Sequence, residues 1–275
     1  MPDHVHTSAP DRTPTGTATA VANSSSSGTV ASPPAHPVGR LLWALIRLAT
    51  AAALAIAITA QVVNTARYSA ENGLDVGMMI ANHFSYFTVL STSAGTLVLA
   101  IGGIWLATRG RRGGNEPVWL SILFLSIGSA MVITGIVYNV LLRNDGAPDP
   151  DTLTWASEIK HVIAPIVFAL DLILHIGRSS LRWSAVALTL IYPLAWAVYT
   201  LLRGELVTDP LNGTAWWYPY GFLDPHTSAT GYAGVAVYVV AIAAALALIA
   251  AGSIWLSRRA SRIRGAGATP GDTPR

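Results

Sequence analysis

Six apolar segments set the hydrophobic pattern of the chain. They lie near residues 41–63, 83–107, 117–142, 159–177, 183–203 and 229–257. At a rise of about 1.5 Å per residue, each segment can cross a hydrocarbon core of roughly 30 Å, the fourth only just. The pattern predicts an all-α fold, a polytopic membrane bundle of six transmembrane helices that occupies residues 40–258.

The two ends of the chain lack this pattern. Residues 1–39 consist mainly of Ser, Thr, Pro, Ala and Gly without apolar periodicity, which predicts a disordered N-terminal tail. This segment has neither a basic start nor an apolar core, so it does not resemble a signal peptide. Residues 259–275 are predicted to form a basic, disordered C-terminal tail.

The composition also indicates a membrane protein. Of the 275 residues, 52% are hydrophobic and 11% are charged, whereas soluble domains carry about 25% charged residues. Cys is absent, which excludes disulfides, thiolate metal sites and a cysteine nucleophile.

The placement of arginines predicts the orientation in the membrane. One set of connections carries arginine clusters, at residues 109–112, 178–182 and 258–264. The alternate connections carry acidic residues, at 71–75, 145–151 and 205–224. The positive-inside rule therefore predicts a multi-pass protein of the cell membrane with both termini in the cytoplasm. On this interpretation the net charge of +3 reflects topology, and no nucleic-acid partner is expected.

The second segment begins with an unusual number of polar residues. On a helix, Ser85, Thr88 and Thr92 share one face, and Asn82 is placed to cap it. An unpaired polar group in hydrocarbon costs several kcal/mol, so these side chains are candidates for function. The structural alternative for Thr88 is a hydroxyl bonded to the carbonyl one turn earlier.

A histidine heads the fourth segment, on the same predicted side of the membrane. Glu158 lies three residues before His161 and is expected to pair with it, which would make the imidazole more basic. A Thr hydroxyl becomes a nucleophile when a neutral His takes its proton. Acyl transfer by Thr88 and His161 is therefore plausible, without a cofactor. The candidate oxyanion donors are Asn82, Tyr138 and Asn139.

Two further features carry predictions. Asp171 lies about 15 Å deeper than His161, so it must be protonated or paired. We expect it to lock helices together, with His175 as its partner. The loop at 204–228 contains a Trp- and Tyr-rich run, which predicts either an interfacial anchor or a lid.

Residues 82–91 read N-H-F-S-Y-F-T-V-L-S, which resembles the N-x-F-S-Y-F-T-x-x-S signature of bacterial Pr-six-Pr membrane proteins. Later features fit the same pattern: His161 with Pro165, Asp171, and the motifs at 218–219 and 223–225. That family is similar to the eukaryotic androgen-induced family of six-span membrane threonine hydrolases. The resemblance implies cleavage of fatty acid esters of hydroxy fatty acids, with Thr88 as the nucleophile and His161 as its partner.

Two other functions remain open at this point. The chain can be a non-catalytic lipid-binding or helper protein whose polar cluster holds a headgroup of a membrane lipid. It can also be a haem or metal binder, since His83 and His161 lie on the same predicted side. A transporter is disfavoured, because inverted repeats and several broken helices are not apparent.

Overall fold

The computed structural model describes residues 37–143 and 150–266. Within these ranges the chain forms helices and no β-strand, which confirms the predicted all-α fold. The helices are α1 (Pro37–Glu71), α2 (Val76–His83), α3 (Phe87–Thr108), α4 (Val118–Val137), α5 (Thr154–Glu158), α6 (Ala164–Leu174), α7 (Ala185–Gly204) and α8 (Tyr232–Ala266). A π-helical turn, Tyr138–Leu142, continues α4, and a second one, Ile159–Ile163, joins α5 to α6.

Five helices are long and apolar enough to cross a membrane. They are Pro37–Glu71, Phe87–Thr108, Val118–Leu142, Ala185–Gly204 and Tyr232–Ala260. The protein is therefore a helical bundle of membrane-protein character. The fourth predicted segment is not among the five and consists of α5, the π turn and α6.

The predicted tails lie largely outside the described residues, which leave out 1–36 and 267–275. Where the structure does describe their inner edges, both boundaries differ from the prediction. Helix α1 already begins at Pro37, and α8 continues as far as Ala266.

The second predicted segment is broken. Helix α2 ends at His83, the backbone turns, and α3 begins at Phe87. Helix α7 holds the turn, because Trp196 Nε1 donates to the Ser85 carbonyl at 3.0 Å. Thr88 therefore lies in the first turn of α3, and Ser85 does not share a helical face with it. The prediction of one continuous span from residue 83 was wrong.

Helix α4 is buried on most sides, because small residues let its neighbours approach closely. A Cβ atom added at Gly135 would lie 2.6 Å from Cβ of Pro165, and one added at Gly128 would lie 3.3 Å from the Leu172 side chain. Such small-residue contacts are a general device for packing membrane helices. This close approach of α4 to α6 brings the two π turns side by side.

A buried charge network, here called the Arg–Asp cluster, lies at the end of the bundle where α1 begins and α6 ends. Asp171 in α6 accepts from Trp43 Nε1 at 2.6 Å and from Arg47 Nη2 at 2.8 Å, and it also accepts from Arg178. Arg47 also pairs with Glu116, with 2.5 Å between nitrogen and oxygen. The buried charges of this cluster are thus paired with one another, as a low-dielectric interior requires.

The cluster corrects one prediction and supports another. His175 does not pair with Asp171; its Nε2 lies 3.1 Å from Ser253 Oγ, and its Nδ1 contacts the Ile173 carbonyl. The expected helix-locking role of Asp171 agrees with these contacts, because its carboxylate joins α1, α6 and the segment that follows α6.

Candidate functional site

A polar cavity of about 380 Å³ lies at the end of the bundle where α3 begins. Its wall contains both predicted catalytic residues, Thr88 and His161. The first turn of α3, the two π turns and the loop after α7 contribute to that wall. Local π turns are often found at functional sites, and here they carry Tyr138 and His161.

Tyr220 holds the hydroxyl of Thr88. The two side-chain oxygens are 3.0 Å apart, and the Thr88 backbone N–H donates to the same phenol oxygen at 3.3 Å. Tyr220 thereby satisfies an N–H group at the start of α3 that has no partner within the helix. Burial raises the pKa of Tyr220, so the phenol keeps its proton. Thr88 thus bonds to a side chain of the loop.

Two bonds from Ser157 fix the His161 ring. His161 Nδ1 lies 2.9 Å from the Ser157 carbonyl oxygen and 3.0 Å from Ser157 Oγ. A carbonyl oxygen can only accept, so Nδ1 carries the proton and Nε2 keeps a lone pair. The ring also stacks on Tyr138, with 3.8 Å between centroids. The expected pairing of His161 with Glu158 was wrong, because Glu158 binds Arg143 at 2.9 Å.

Asn139 has a structural task next to His161. Pro165 has no N–H, so the carbonyl of His161 loses the acceptor role that a regular helix would give it. Asn139 Nδ2 donates to that carbonyl at 3.0 Å, and Arg143 Nε donates to Asn139 Oδ1 at 3.0 Å. The amide of Asn139 is therefore committed to the helix backbone, which argues against the predicted role of oxyanion donor.

Asn82 is also engaged elsewhere. It lies inside α2, where its Oδ1 accepts from Arg203 Nη2 at 2.7 Å, so it does not cap the spanning helix as predicted. Of the three donors expected from the sequence, Tyr138 lines the polar cavity. Its hydroxyl accepts from Ser157 Oγ at 3.3 Å.

Glu205, at the end of α7, anchors the loop that carries Tyr220. Its Oε1 accepts from Tyr218 at 2.8 Å and from Tyr232 at 3.1 Å, and it lies 2.9 Å from His226 Nε2. These hydrogen bonds, that from Tyr218 first, lower the pKa of Glu205. Pro219, Tyr220 and Gly221 belong to the cavity wall, so this anchor keeps one side of the cavity in place.

An apolar groove adjoins the polar cavity. Residues of α4, α7 and α8 line it, including Ile133, Leu194 and Leu246. Thr88 and Tyr220 lie in the walls of both spaces. The groove has a volume of only about 60 Å³, so an apolar part of an amphiphilic molecule would lie along it rather than be enclosed, next to the polar cavity.

Sequence reasoning missed Lys160 in the cavity wall, and it considered His83 there only as a haem or metal ligand. Lys160 is 6% exposed and lines the cavity beside His161. The buried His83 Nε2 atom has no hydrogen-bond partner among the described residues. One signal was available for Lys160: it is the only lysine of the chain, and it stands at the head of an apolar segment.

The same wall bears on the haem or metal alternative. His83 and His161 both line the polar cavity, as that alternative requires. Within the described ranges, no group of three or more His, Asp or Glu side chains lies close enough to hold a metal ion. Haem binding through these two imidazoles stays a prediction, which a Soret absorbance band would test.

Comparison with protein-family models, with curated proteins and with solved structures gives no match. The resemblance to Pr-six-Pr proteins therefore stays a prediction that rests on its motif residues. The functional argument depends on the polar cavity itself: a hydroxyl, an imidazole and an ammonium group that share one wall next to an apolar groove.

Proposed function

We propose that this protein is an integral membrane hydrolase that cleaves fatty acyl esters, with Thr88 as the nucleophile and His161 as the general base. The observation that carries the proposal is the common cavity wall of Thr88 and His161, which come from different helices. The adjoining apolar groove supports an acyl chain as part of the substrate.

In the proposed first step, Thr88 Oγ1 attacks the ester carbonyl carbon while His161 Nε2 takes the hydroxyl proton. For this the Thr88 hydroxyl exchanges its Tyr220 partner for His161 or for a water that bridges to it. The Tyr220 phenol, which keeps its proton, then donates to the developing oxyanion. The tetrahedral intermediate expels the alcohol, which takes the proton from His161, and an acyl-Thr88 ester remains.

The second step returns the enzyme to its starting state. His161 Nε2 takes a proton from water, and the resulting hydroxide attacks the acyl-Thr88 carbonyl. The intermediate collapses with release of the fatty acid, and Thr88 Oγ1 recovers its proton from His161. The bond from Nδ1 to the Ser157 carbonyl keeps the ring in the tautomer that both steps need.

We further propose that the chain crosses the cell membrane six times, with both termini in the cytoplasm. Residues 154–174 form one continuous helical stretch through the π turn, long enough for about 30 Å, and supply the additional span. The arginine clusters at 109–112 and 178–182 support the orientation. In this orientation, the polar cavity faces the outer leaflet. Cysteines introduced singly into the loops and labelled from outside cells test this topology.

The test of catalysis is hydrolysis of a long-chain p-nitrophenyl ester by the protein purified in a non-ionic detergent. We expect Thr88→Ala and His161→Gln to lose turnover. Thr92→Val is the matched control, because it removes a buried hydroxyl one turn further along α3 that has no partner among the described residues. Turnover that survives both Thr88→Ala and His161→Gln would refute the proposed mechanism.

A second candidate is a lipid-binding protein without turnover. The observation that favours it is that Thr88 bonds to Tyr220 and His161 bonds to Ser157, rather than to each other. This function predicts that lipid copurifies with the protein and that an acylating probe leaves Thr88 unlabelled.

A further inference from the structure

Lys160 is a buried cation, and the nearby carboxylate of Asp151 makes no direct ion pair with it. Its side chain is 94% buried and lines the polar cavity. No hydrogen bond or ion pair to its ammonium group is found within residues 37–143 and 150–266. A buried charge normally has a partner, because taking an ion out of water is costly.

The neighbouring charges do not fill this role. Asp151 attracts the ammonium electrostatically, but its carboxylate accepts from Thr65 Oγ1 and its carbonyl accepts from Gln61 Nε2 at 2.8 Å. These bonds hold Asp151 on the wall of the cavity, beside α1. Arg143, the other cation of the cavity wall, is already paired with Glu158.

Lys160 lies next to His161 in the π turn Ile159–Ile163, and both residues line the cavity. His83 is a third member of this wall, and its buried Nε2 has no partner among the described residues. The ammonium group of Lys160 and the imidazole of His83 therefore offer two groups that can bind an anion in the cavity.

We propose that Lys160 is the anchor for an oxyanion, a carboxylate or phosphate, on the head of a single-chain amphiphile. The ammonium pairs with the oxyanion, His83 contributes a hydrogen bond, and the chain of the amphiphile lies in the apolar groove. This inference deepens the proposed function, because it makes the substrate an anionic amphiphile held in the same cavity. Binding at Lys160 does not itself require turnover.

The chain offers a specific chemical test. Because Lys160 is the only lysine, reductive methylation with formaldehyde reports on one side-chain amine, which mass spectrometry separates from the N-terminus. We expect palmitate or hexadecyl phosphate to slow methylation of Lys160 at least tenfold, and hexadecanol to leave it unchanged. Equal protection by all three amphiphiles, or by none, would overturn the proposal. The two anionic probes distinguish a carboxylate head from a phosphate head.

Binding affinities provide the second measurement. By titration calorimetry, the wild-type protein is expected to bind palmitate or hexadecyl phosphate about tenfold or more tighter than hexadecanol, and Lys160→Met is expected to bind all three alike. Lys160→Met keeps the length of the side chain and removes a buried charge, so the fold should tolerate it. Arg67→Gln, which removes an exposed cation of α1, is the matched control and should keep the preference. A preference that persists in Lys160→Met contradicts the proposal.

The two proposals can fail separately. Selective binding of the anionic probes without hydrolysis of any long-chain ester would refute the hydrolase and leave the anion anchor standing. Hydrolysis that depends on Thr88, without a preference for anionic amphiphiles, would refute the anchor alone.

Discussion

Replacing Asp171 by Asn tests whether the Arg–Asp cluster holds the bundle together. The carboxylate accepts from Trp43, Arg47 and Arg178, and the side chains of Asp171 and Arg47 are fully buried. An Asn side chain has one acceptor oxygen, so its NH₂ group would face an arginine donor, and two buried cations would share the charge of Glu116 alone. Breaking a buried ion pair costs about 3–5 kcal/mol.

The expected effect is large enough to measure by thermal unfolding in detergent, followed by tryptophan fluorescence. A loss of 1 kcal/mol lowers Tm by about 2–4 °C in a protein of this size, so Asp171→Asn should lower it by roughly 6–20 °C. Glu158→Gln is the control: it breaks the pair with Arg143, whose two side chains are 38% and 40% exposed, and exposed pairs contribute at most about 1 kcal/mol. A Tm of Asp171→Asn within about 2 °C of wild type, or an equal loss in Glu158→Gln, would refute the reasoning.

Three further changes probe the polar cavity and its loop. Tyr220→Phe removes the proposed oxyanion donor and should lower kcat roughly hundredfold with little change in KM. An unchanged kcat would show that the phenol has no catalytic role beyond its contact with Thr88. Asn139→Leu leaves the His161 carbonyl without its donor, so Tm should fall by an amount equivalent to about 1–3 kcal/mol. The rate of ester hydrolysis should fall as well. A Tm equal to that of the wild type would contradict the structural role of Asn139. The lowered pKa of Glu205 means that its contribution to loop stability is present above the ordinary value of 4.5 and is lost as the pH falls through the folded-state pKa. Hydrogen exchange of residues 205–232, corrected for intrinsic rates, should therefore accelerate below about pH 4.5, and Glu205→Gln should lack this dependence.

The long apolar helices were predictable because hydropathy reports on each segment by itself. The break between α2 and α3 was not, because residues 82–87 contain neither Gly nor Pro. Contacts with Trp196 and Tyr199 of α7 hold the turn there, and these residues lie more than 100 positions away in the chain. Intrinsic helix propensity describes each residue by itself, so it cannot predict a break that depends on contacts with a distant helix.

The partners of the buried polar groups were also not predicted from the sequence, because they are distant along the chain. His175 was the predicted partner of Asp171 because it lies one turn away, whereas the actual partner Arg47 is 124 positions distant. A different argument from the sequence would have found it: Arg47 is a lone charge inside the first apolar segment, and such a charge requires an opposite one at similar depth. By contrast, the side chains of Thr88 and His161 do share a cavity wall, as expected from their common side of the bundle.

The two ends of the bundle differ in how strongly they resist deformation. Buried ionic bonds among Arg47, Asp171 and Arg178 join three parts of the chain at one end. At the other end, the ion pair between Arg143 and Glu158 is exposed, and the neutral hydroxyls of Thr88 and Tyr220 join α3 to the loop after α7. Small opening motions are drawn from the least stabilised regions of a protein. The bundle should therefore flex about the charged end as a pivot and part first between α3 and the loop. If the proposed function holds, its long-chain substrate would then enter sideways from the bilayer while the charged end stays closed, so that the cavity would open without becoming a channel.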